Sequence, residues 1–198
     1  MRNSRRTSVL VFAVAALVIG FVPCGPLHAQ QPPANLLPNP GFEEVDATGL
    51  PVGWTVSVWG GTAKDGTPAK SGTAKIEVAD TPRTGKKAMK VRWIDGSVNV
   101  VVHPAEMLAL KGKERFRLSY WFKGPKDVTV YASMLTRSEQ NPQMDYQHSK
   151  AMKGSDEWQQ VIFEFSNSPE ANKLAIYLRV DGDGVLFDDV SLERIPQQ

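Results

Sequence analysis

The feature that most limits what this 198-residue chain can become is a recurring period of two. "TAKIEVA", "KAMKVRWI", "SVNVVVH", "RFRLSYWFKG", "DVTVYASML", "WQQVIFEF", "LAIYLRV" and "GVLFDDVSL" alternate apolar with polar residues, and turn-rich connections such as "WGGTAKDGTPAKSG", "KGPKD" and "FSNSPEANK" separate them. Alternation gives each strand one apolar face, which must be buried against a second layer. A helical turn is expected only near "PAEMLAL", residues 104 to 110, and there is no internal repeat or low-complexity tract. The expected fold is all-β: a single β-sandwich of two antiparallel sheets, with a jelly roll favoured by many short strands and long connections.

Residues 1–29 read as an export signal: Arg2, Arg5 and Arg6, then the apolar "VLVFAVAALVIGFV", then Ala29 before a cleavage point. The apolar run is short for a bilayer span, so no membrane span is expected after cleavage. The single cysteine, Cys24, lies in this segment behind Pro23, a poor context for lipid anchoring, and the remaining 169 residues have none. An exported chain without disulfides must be held by its core or by a metal. Losing three arginines turns the formal charge of +2 into −1, which leaves no nucleic-acid footprint. Residues 30–34 are a short Pro-rich linker, 35–195 form one domain, and the product is expected to be a secreted or periplasmic monomer.

The terminal "GVLFDDVSLERI" sets a problem. Strict alternation puts Leu186, Asp188, Val190 and Leu192 on the apolar side, with Phe187, Asp189, Ser191 and Glu193 opposite. A carboxylate among core residues needs a cation, a metal ion or several N–H donors.

"NLLPNPGFEEVDATGLPVGWTV" at 35–56 and "LAIYLRVDGDGVLFDDVSLERI" at 174–195, with "GKKAMKV", "RFRLSYWFKG" and "DEWQQVIFEF" in order between them, resemble carbohydrate-binding modules of the family 4/9 type, which are galactose-binding-domain-like jelly rolls. The resemblance implies a non-catalytic module for a poly- or oligosaccharide, with a glycan-degrading enzyme as a possible partner. It also implies a structural calcium held by Glu43 and Asp188, with carbonyls near Lys86 or Lys87 completing the shell; hard oxygen donors suit that ion. The competing account has Asp188 capping a loop through backbone N–H groups or pairing with Lys86 or Lys87. Asp181 and Asp183 read as a turn, because the other ligands of an EF-hand are missing.

Sugar rings offer flat C–H faces rimmed by hydroxyls and bind aromatic platforms flanked by polar groups. Parity buries Phe116, Leu118, Tyr120 and Phe122 and turns Arg117, Ser119 and Trp121 outward. It buries Leu174, Ile176, Leu178 and Val180 and turns Tyr177 and Arg179 out, and it leaves Thr129 and Tyr131 out opposite Val128, Val130, Ala132 and Met134. The resemblance would gather these outward faces on one concave sheet, making Trp121, Tyr177, Arg117, Arg179 and Tyr131 the expected carbohydrate site. The alternative is that the loop "TRSEQNPQMDYQHSK" covers them as a secondary core. Trp54 and Trp158 are expected to pack; Trp59 and Trp93 are open.

No nucleophile elbow or metal-spaced partner accompanies His103 or His148, so no catalytic residue is expected. The alternatives to a binding module are a small secreted glycan hydrolase or lyase, for which Glu164 and Asp145 could meet over one sheet, and a structural or adhesive surface module.

Overall fold

The computed structural model describes residues 34–59, 73–95 and 99–196, so the segment expected to be an export signal and most of the expected linker lie outside the described residues. The strands are β1 (Trp54–Val58), β2 (Thr73–Ala79), β3 (Ala88–Asp95), β4 (Val100–Pro104), β5 (Leu108–Ala109), β6 (Arg115–Lys123), β7 (Thr129–Arg137), β8 (Tyr146–His148), β9 (Met152–Lys153), β10 (Gln159–Ser166), β11 (Lys173–Val180) and β12 (Leu186–Arg194). One sheet runs β1-β4-β11-β7-β8, with β5 on β11 and β9 on β7; the other runs β10-β6-β12-β3-β2. Every pairing between these strands is antiparallel. The all-β two-sheet sandwich expected from alternation is the fold. The helical turn at 104–110 does not form, because Leu108–Ala109 instead pairs with β11.

Parity holds wherever a strand is regular. Phe116, Leu118, Tyr120 and Phe122 of β6 face Val130, Ala132 and Met134 of β7 and Ile176, Leu178 and Val180 of β11 in one core cluster. Removing each large side chain of this kind from water contributes about 1.5–3 kcal/mol. The first motif, "NPGF", plugs one end of the core. The Asn39 amide donates to the Glu44 and Val52 carbonyls and accepts from the Glu44 N–H, closing the turn. Phe42 takes a left-handed φ of 57° and is fully buried, its ring edge-on to Trp54 at 5.2 Å. Trp54 also donates from Nε1 to the Pro38 carbonyl at 3.0 Å, so it is a packing residue as expected.

β12 departs from strict alternation. Its register against β6 shifts between Asp188 and Ser191, where Asp189 adopts a φ of 49°. The bulge lets Phe187 and Val190 both enter the core, so Phe187 is buried rather than outward. Asp188 pairs with Trp121, an outward position, and not with the core-facing Phe122. The carboxylate is therefore not on the apolar side of its strand; it is buried on the outer side, beneath the segment that precedes β3.

Candidate functional site

The five expected sugar-binding residues divide between the two sheets. Trp121 and Arg117 belong to β6 in the five-stranded sheet, whereas Tyr177 and Arg179 on β11 and Tyr131 on β7 belong to the seven-stranded sheet. All five lie on outward faces, as parity requires, but the two faces are on opposite sides of the core and cannot form one site. Period-two reading assigns a side to a strand and not the sheet that the strand joins.

The outer face of the five-stranded sheet is taken up by its own ion pairs. Arg117 donates from Nε and Nη2 to Glu164 Oε1 at 2.9 and 2.8 Å, and Arg115 reaches Oε2 at 2.7 Å. The Arg117 hydrogen bonds, with the charges of both arginines, hold the Glu164 carboxyl below its ordinary range. Trp121 carries the Arg83 guanidinium on its ring at 3.9 Å, and Arg83 in turn binds Asp189 at 2.6 Å. One face of the Trp121 ring is therefore covered by the guanidinium.

The seven-stranded face gathers the rest. Tyr177 lies edge-on to Trp59 at 4.9 Å and to His103 at 5.5 Å. Arg179 stands between the Trp59 ring at 4.9 Å and the Tyr131 ring at 5.3 Å, and its Nη1 donates to the Tyr146 hydroxyl. His148 contacts Tyr146 at 4.4 Å and Tyr131 at 5.9 Å. Burial, and then the Arg179 charge, lower the His148 pKa; burial raises that of Tyr177. Val101, Leu135, Ala175 and Tyr177 form a small apolar patch on this face, joined by Trp59 and Met107.

Two polar atoms in this cluster have no partner: Arg179 Nε and Ser133 Oγ are both buried and unbonded among the described residues. Arg179 is 8% exposed and Ser133 fully buried. His103 is fixed by two contacts, Nδ1 to the Pro104 carbonyl at 2.8 Å and Nε2 to Ser57 Oγ at 3.1 Å. The carbonyl can only accept, so Nδ1 carries the proton and Ser57 donates to Nε2. His103, Arg137, Ala175 and Tyr177 line an adjoining pocket of about 200 Å³.

A larger cavity of about 510 Å³ lies behind the same Pro104–Met107 segment, but aliphatic side chains such as Leu36, Leu108, Leu174 and Leu192 wall it. A hydroxyl-rich ligand needs convergent polar groups, so the smaller, aromatic-flanked pocket is the better candidate.

Trp59 and Tyr146 were not among the five expected residues. Trp59 follows the last residue of β1 and escapes a within-strand parity reading, and Tyr146 comes from the loop considered as a cover. That loop does reach the face: its three-residue strand β8 pairs with β7 and sets Tyr146 and His148 at the rim. Tyr146 remains 37% exposed, while Tyr177 is 6% exposed beneath its neighbours.

Glu43 and Asp188 each grip one stretch of the 83–87 segment. Asp188 Oδ2 accepts from the Arg83 and Thr84 N–H groups at 2.8 and 3.1 Å, and Oδ1 from the Asp189 N–H at 2.8 Å. Glu43 Oε1 accepts from the Lys86 and Lys87 N–H groups at 2.7 and 3.2 Å. The Lys87 ammonium points to Asp80 instead. Burial raises the Asp188 pKa more than the three N–H donors lower it. The two side chains both approach Gly41, where an added Cβ would lie 3.7 Å from Glu43 Cγ and 3.9 Å from Asp188 Oδ1. They are hard oxygen donors of the kind calcium takes, although no trio of His, Cys, Asp or Glu side chains suited to a metal is gathered among the described residues.

Glu164 and Asp145, the pair considered for glycan hydrolysis, do not share a face. Asp145 precedes β8 at the edge of the seven-stranded sheet, where Thr136 Oγ1, Ser168 N–H and Ser168 Oγ donate to it.

No protein-family model and no curated protein matches the chain. Solved structures match it in fold. One is the enzymatically active domain of bacteriophage CBA120 tailspike protein 4, at 16% identity and a TM-score of 0.57 over 81% of this chain; the match spans only 21% of that chain. Another is the CBM22-1 xylan-binding domain of Paenibacillus barcinonensis Xyn10C, at 17% identity and 0.55, covering 80% of this chain and 93% of that one. A third is TmCBM61 in complex with β-1,4-galactotriose, at 24% and 0.50, covering 82% and 99%. The fold is thus the jelly-roll sandwich that carbohydrate-binding modules share.

Proposed function

We propose that this chain is an exported, non-catalytic carbohydrate-binding module, of the 4/9 kind its terminal motifs resemble, that holds a poly- or oligosaccharide on the outer face of the seven-stranded sheet. The observation that carries this reading is the ring of Trp59, Tyr131, Tyr146, His148 and Tyr177 around Arg179, with unpartnered Arg179 Nε and Ser133 Oγ at its floor. Aromatic faces pack against sugar C–H groups while buried polar atoms fix orientation by hydrogen bonds. Export rests on the charged and apolar character of residues 1–29, and a glycan-degrading enzyme is the natural partner for such a module.

The test is affinity electrophoresis and calorimetric titration across a polysaccharide panel, with reducing-end release measured in the same mixtures. Saturable binding without release supports the reading. Release would replace it with a hydrolase or lyase, and no binding to any polysaccharide would leave a structural or adhesive module. Intact-mass analysis of exported protein should show loss of about 29 residues.

Calcium at Glu43 and Asp188 is a further part of the proposal, supported by the hard oxygen donors of these two side chains, which both approach Gly41, and by a buried carboxylate whose charge the N–H groups only partly offset. Its chemistry would be to tie the segment before β1 to β12. Melting in millimolar calcium should exceed melting in chelator, as binding of the order of 10⁻⁴–10⁻³ M requires. Equal melting would leave the N–H groups as the sole compensators.

A further inference from the structure

The charges of the two outer faces are arranged differently. The five-stranded sheet pairs its arginines, Arg115 and Arg117 with Glu164, Arg92 with Glu77 and Asp183, Arg83 with Asp189, and Arg194 with Glu114, and leaves only lysines such as Lys90 and Lys123 without a salt bridge among the described residues. On the seven-stranded sheet, Arg179, Arg137 and Lys173 have no salt bridge among the described residues. Lys173 and Arg137 sit directly opposite each other in the β11–β7 register, an arrangement that like charges disfavour. Arg179 is nine-tenths buried with an orphaned Nε, and a buried cation without a counter-charge is costly. Its Nη1 is met by a neutral phenol, Tyr146, standing on a three-residue edge strand. A carboxylate or sulfate oxygen is a stronger acceptor for a guanidinium than a phenol.

We infer that the ligand of this face is an anionic polysaccharide, whose acidic groups lie against Arg179 and along Arg137 and Lys173. The inference rests on the glycan-binding reading and names the substrate class of that same site. Arg179 to Lys173 is six residues of one strand, ~20 Å at strand rise, enough to engage several sugar units. The guanidinium supplies directional donors at one end, the opposed Arg137 and Lys173 supply positive potential at the other, and Trp59 and Tyr131 provide the apolar walls.

The experiment uses polysaccharides matched in backbone and differing in charge: polygalacturonate against fully methyl-esterified pectin, and carrageenan against its desulfated form, with neutral xylan and galactan alongside. Each is titrated at low and high ionic strength into the wild type, Arg179→Gln and Arg117→Gln. The expected result is binding to at least one charged member and weaker binding to its neutral counterpart. Affinity should fall as salt rises and drop about 10- to 100-fold in Arg179→Gln, as loss of a charge-assisted hydrogen bond implies. Arg117→Gln, on the other sheet, should bind as the wild type does. Preference for polygalacturonate assigns a carboxylate, and preference for carrageenan a sulfate.

Equal affinity for charged and neutral partners, binding only to neutral ones, or salt-independent binding overturns the anionic assignment while the glycan reading stands. Binding to no polysaccharide overturns both. If Arg179→Gln fails to fold, the matched pairs and the salt dependence of the wild type decide the question.

Discussion

Replacing Asp188 separates the work of its oxygens from that of its charge. In Asp188→Ala the N–H groups of Arg83, Thr84 and Asp189 lose their acceptor together. Each bond to a charged acceptor contributes ~1.5–3 kcal/mol, and each orphaned buried donor costs ~1–3 kcal/mol. Water entering the vacated space recovers part of this, so about 3–5 kcal/mol is expected. Asp188→Asn keeps one carbonyl oxygen for Arg83 and Thr84, sets an amide N–H against that of Asp189, and removes a charge that burial penalises. These effects largely offset, leaving a cost of about 1 kcal/mol.

Urea unfolding at neutral pH, with equal m-values across the three proteins, gives both differences. On the calcium proposal, the gap between wild type and Asp188→Asn should widen in millimolar calcium, because only the wild type would gain the ligand. An alanine variant within 1 kcal/mol of the wild type would refute the N–H account. An asparagine variant as damaged as alanine in chelator would show that the charge itself is required.

Gly85 has a φ of 69°, and a Cβ there would lie 2.0 Å from Glu43 Oε1, so Gly85→Ala should cost ~2 kcal/mol or more through left-handed strain and displacement of Glu43; a change in unfolding midpoint below a few tenths of a molar urea would contradict this. For Asp145, burial raises the pKa but the Ser168 and Thr136 donors outweigh it, so the native value is lowered. Its stability contribution is therefore full above the ordinary aspartate range and lost as pH falls through the native value; melting followed from pH 6 down to pH 2 should show a shallower acid limb in Asp145→Asn. Trp121→Ala should leave glycan affinity unchanged and cost ~1–2 kcal/mol from lost packing and the Arg83 contact, which titration and thermal melting read together.

How far the sequence could be read depended on how regular each strand was. On β6, β7 and β11 the alternation named every residue facing the central core, because no bulge interrupts these strands, but it gave no sign that Ser133, Leu135, Ala175, Tyr177 and Arg179 on the other side of β7 and β11 are buried as well. On β12 the same rule misplaced Leu186, Phe187 and Asp188, since the Asp188–Ser191 register shift reverses the sides and nothing in period two announces it. The candidate site was legible by halves. Tyr177, Arg179 and Tyr131 were correctly turned outward, but joining them to Trp121 and Arg117 required knowing that β6 and β11 enter different sheets. That depends on pairings between distant segments, such as Arg179 with Tyr131 and Trp121 with Asp188. Trp59 carries no strand signal and is recruited only when β4 and β11 bring Tyr177 beside it.

The central claim, that the seven-stranded face and not the five-stranded one holds a glycan, is tested most directly by titrating one bound polysaccharide into wild type, Trp59→Ala and Trp121→Ala under identical conditions. Stacking of a flat ring on an aromatic side chain is worth ~1–3 kcal/mol where it has been measured for nucleic-acid bases, so Trp59→Ala should weaken binding by about tenfold or more and, through its lost contacts with Tyr177 and Arg179, lower stability by ~1–2 kcal/mol as Trp121→Ala does, while Trp121→Ala binds normally. Wild-type affinity in Trp59→Ala together with lost affinity in Trp121→Ala would contradict the account and move the site to the other sheet.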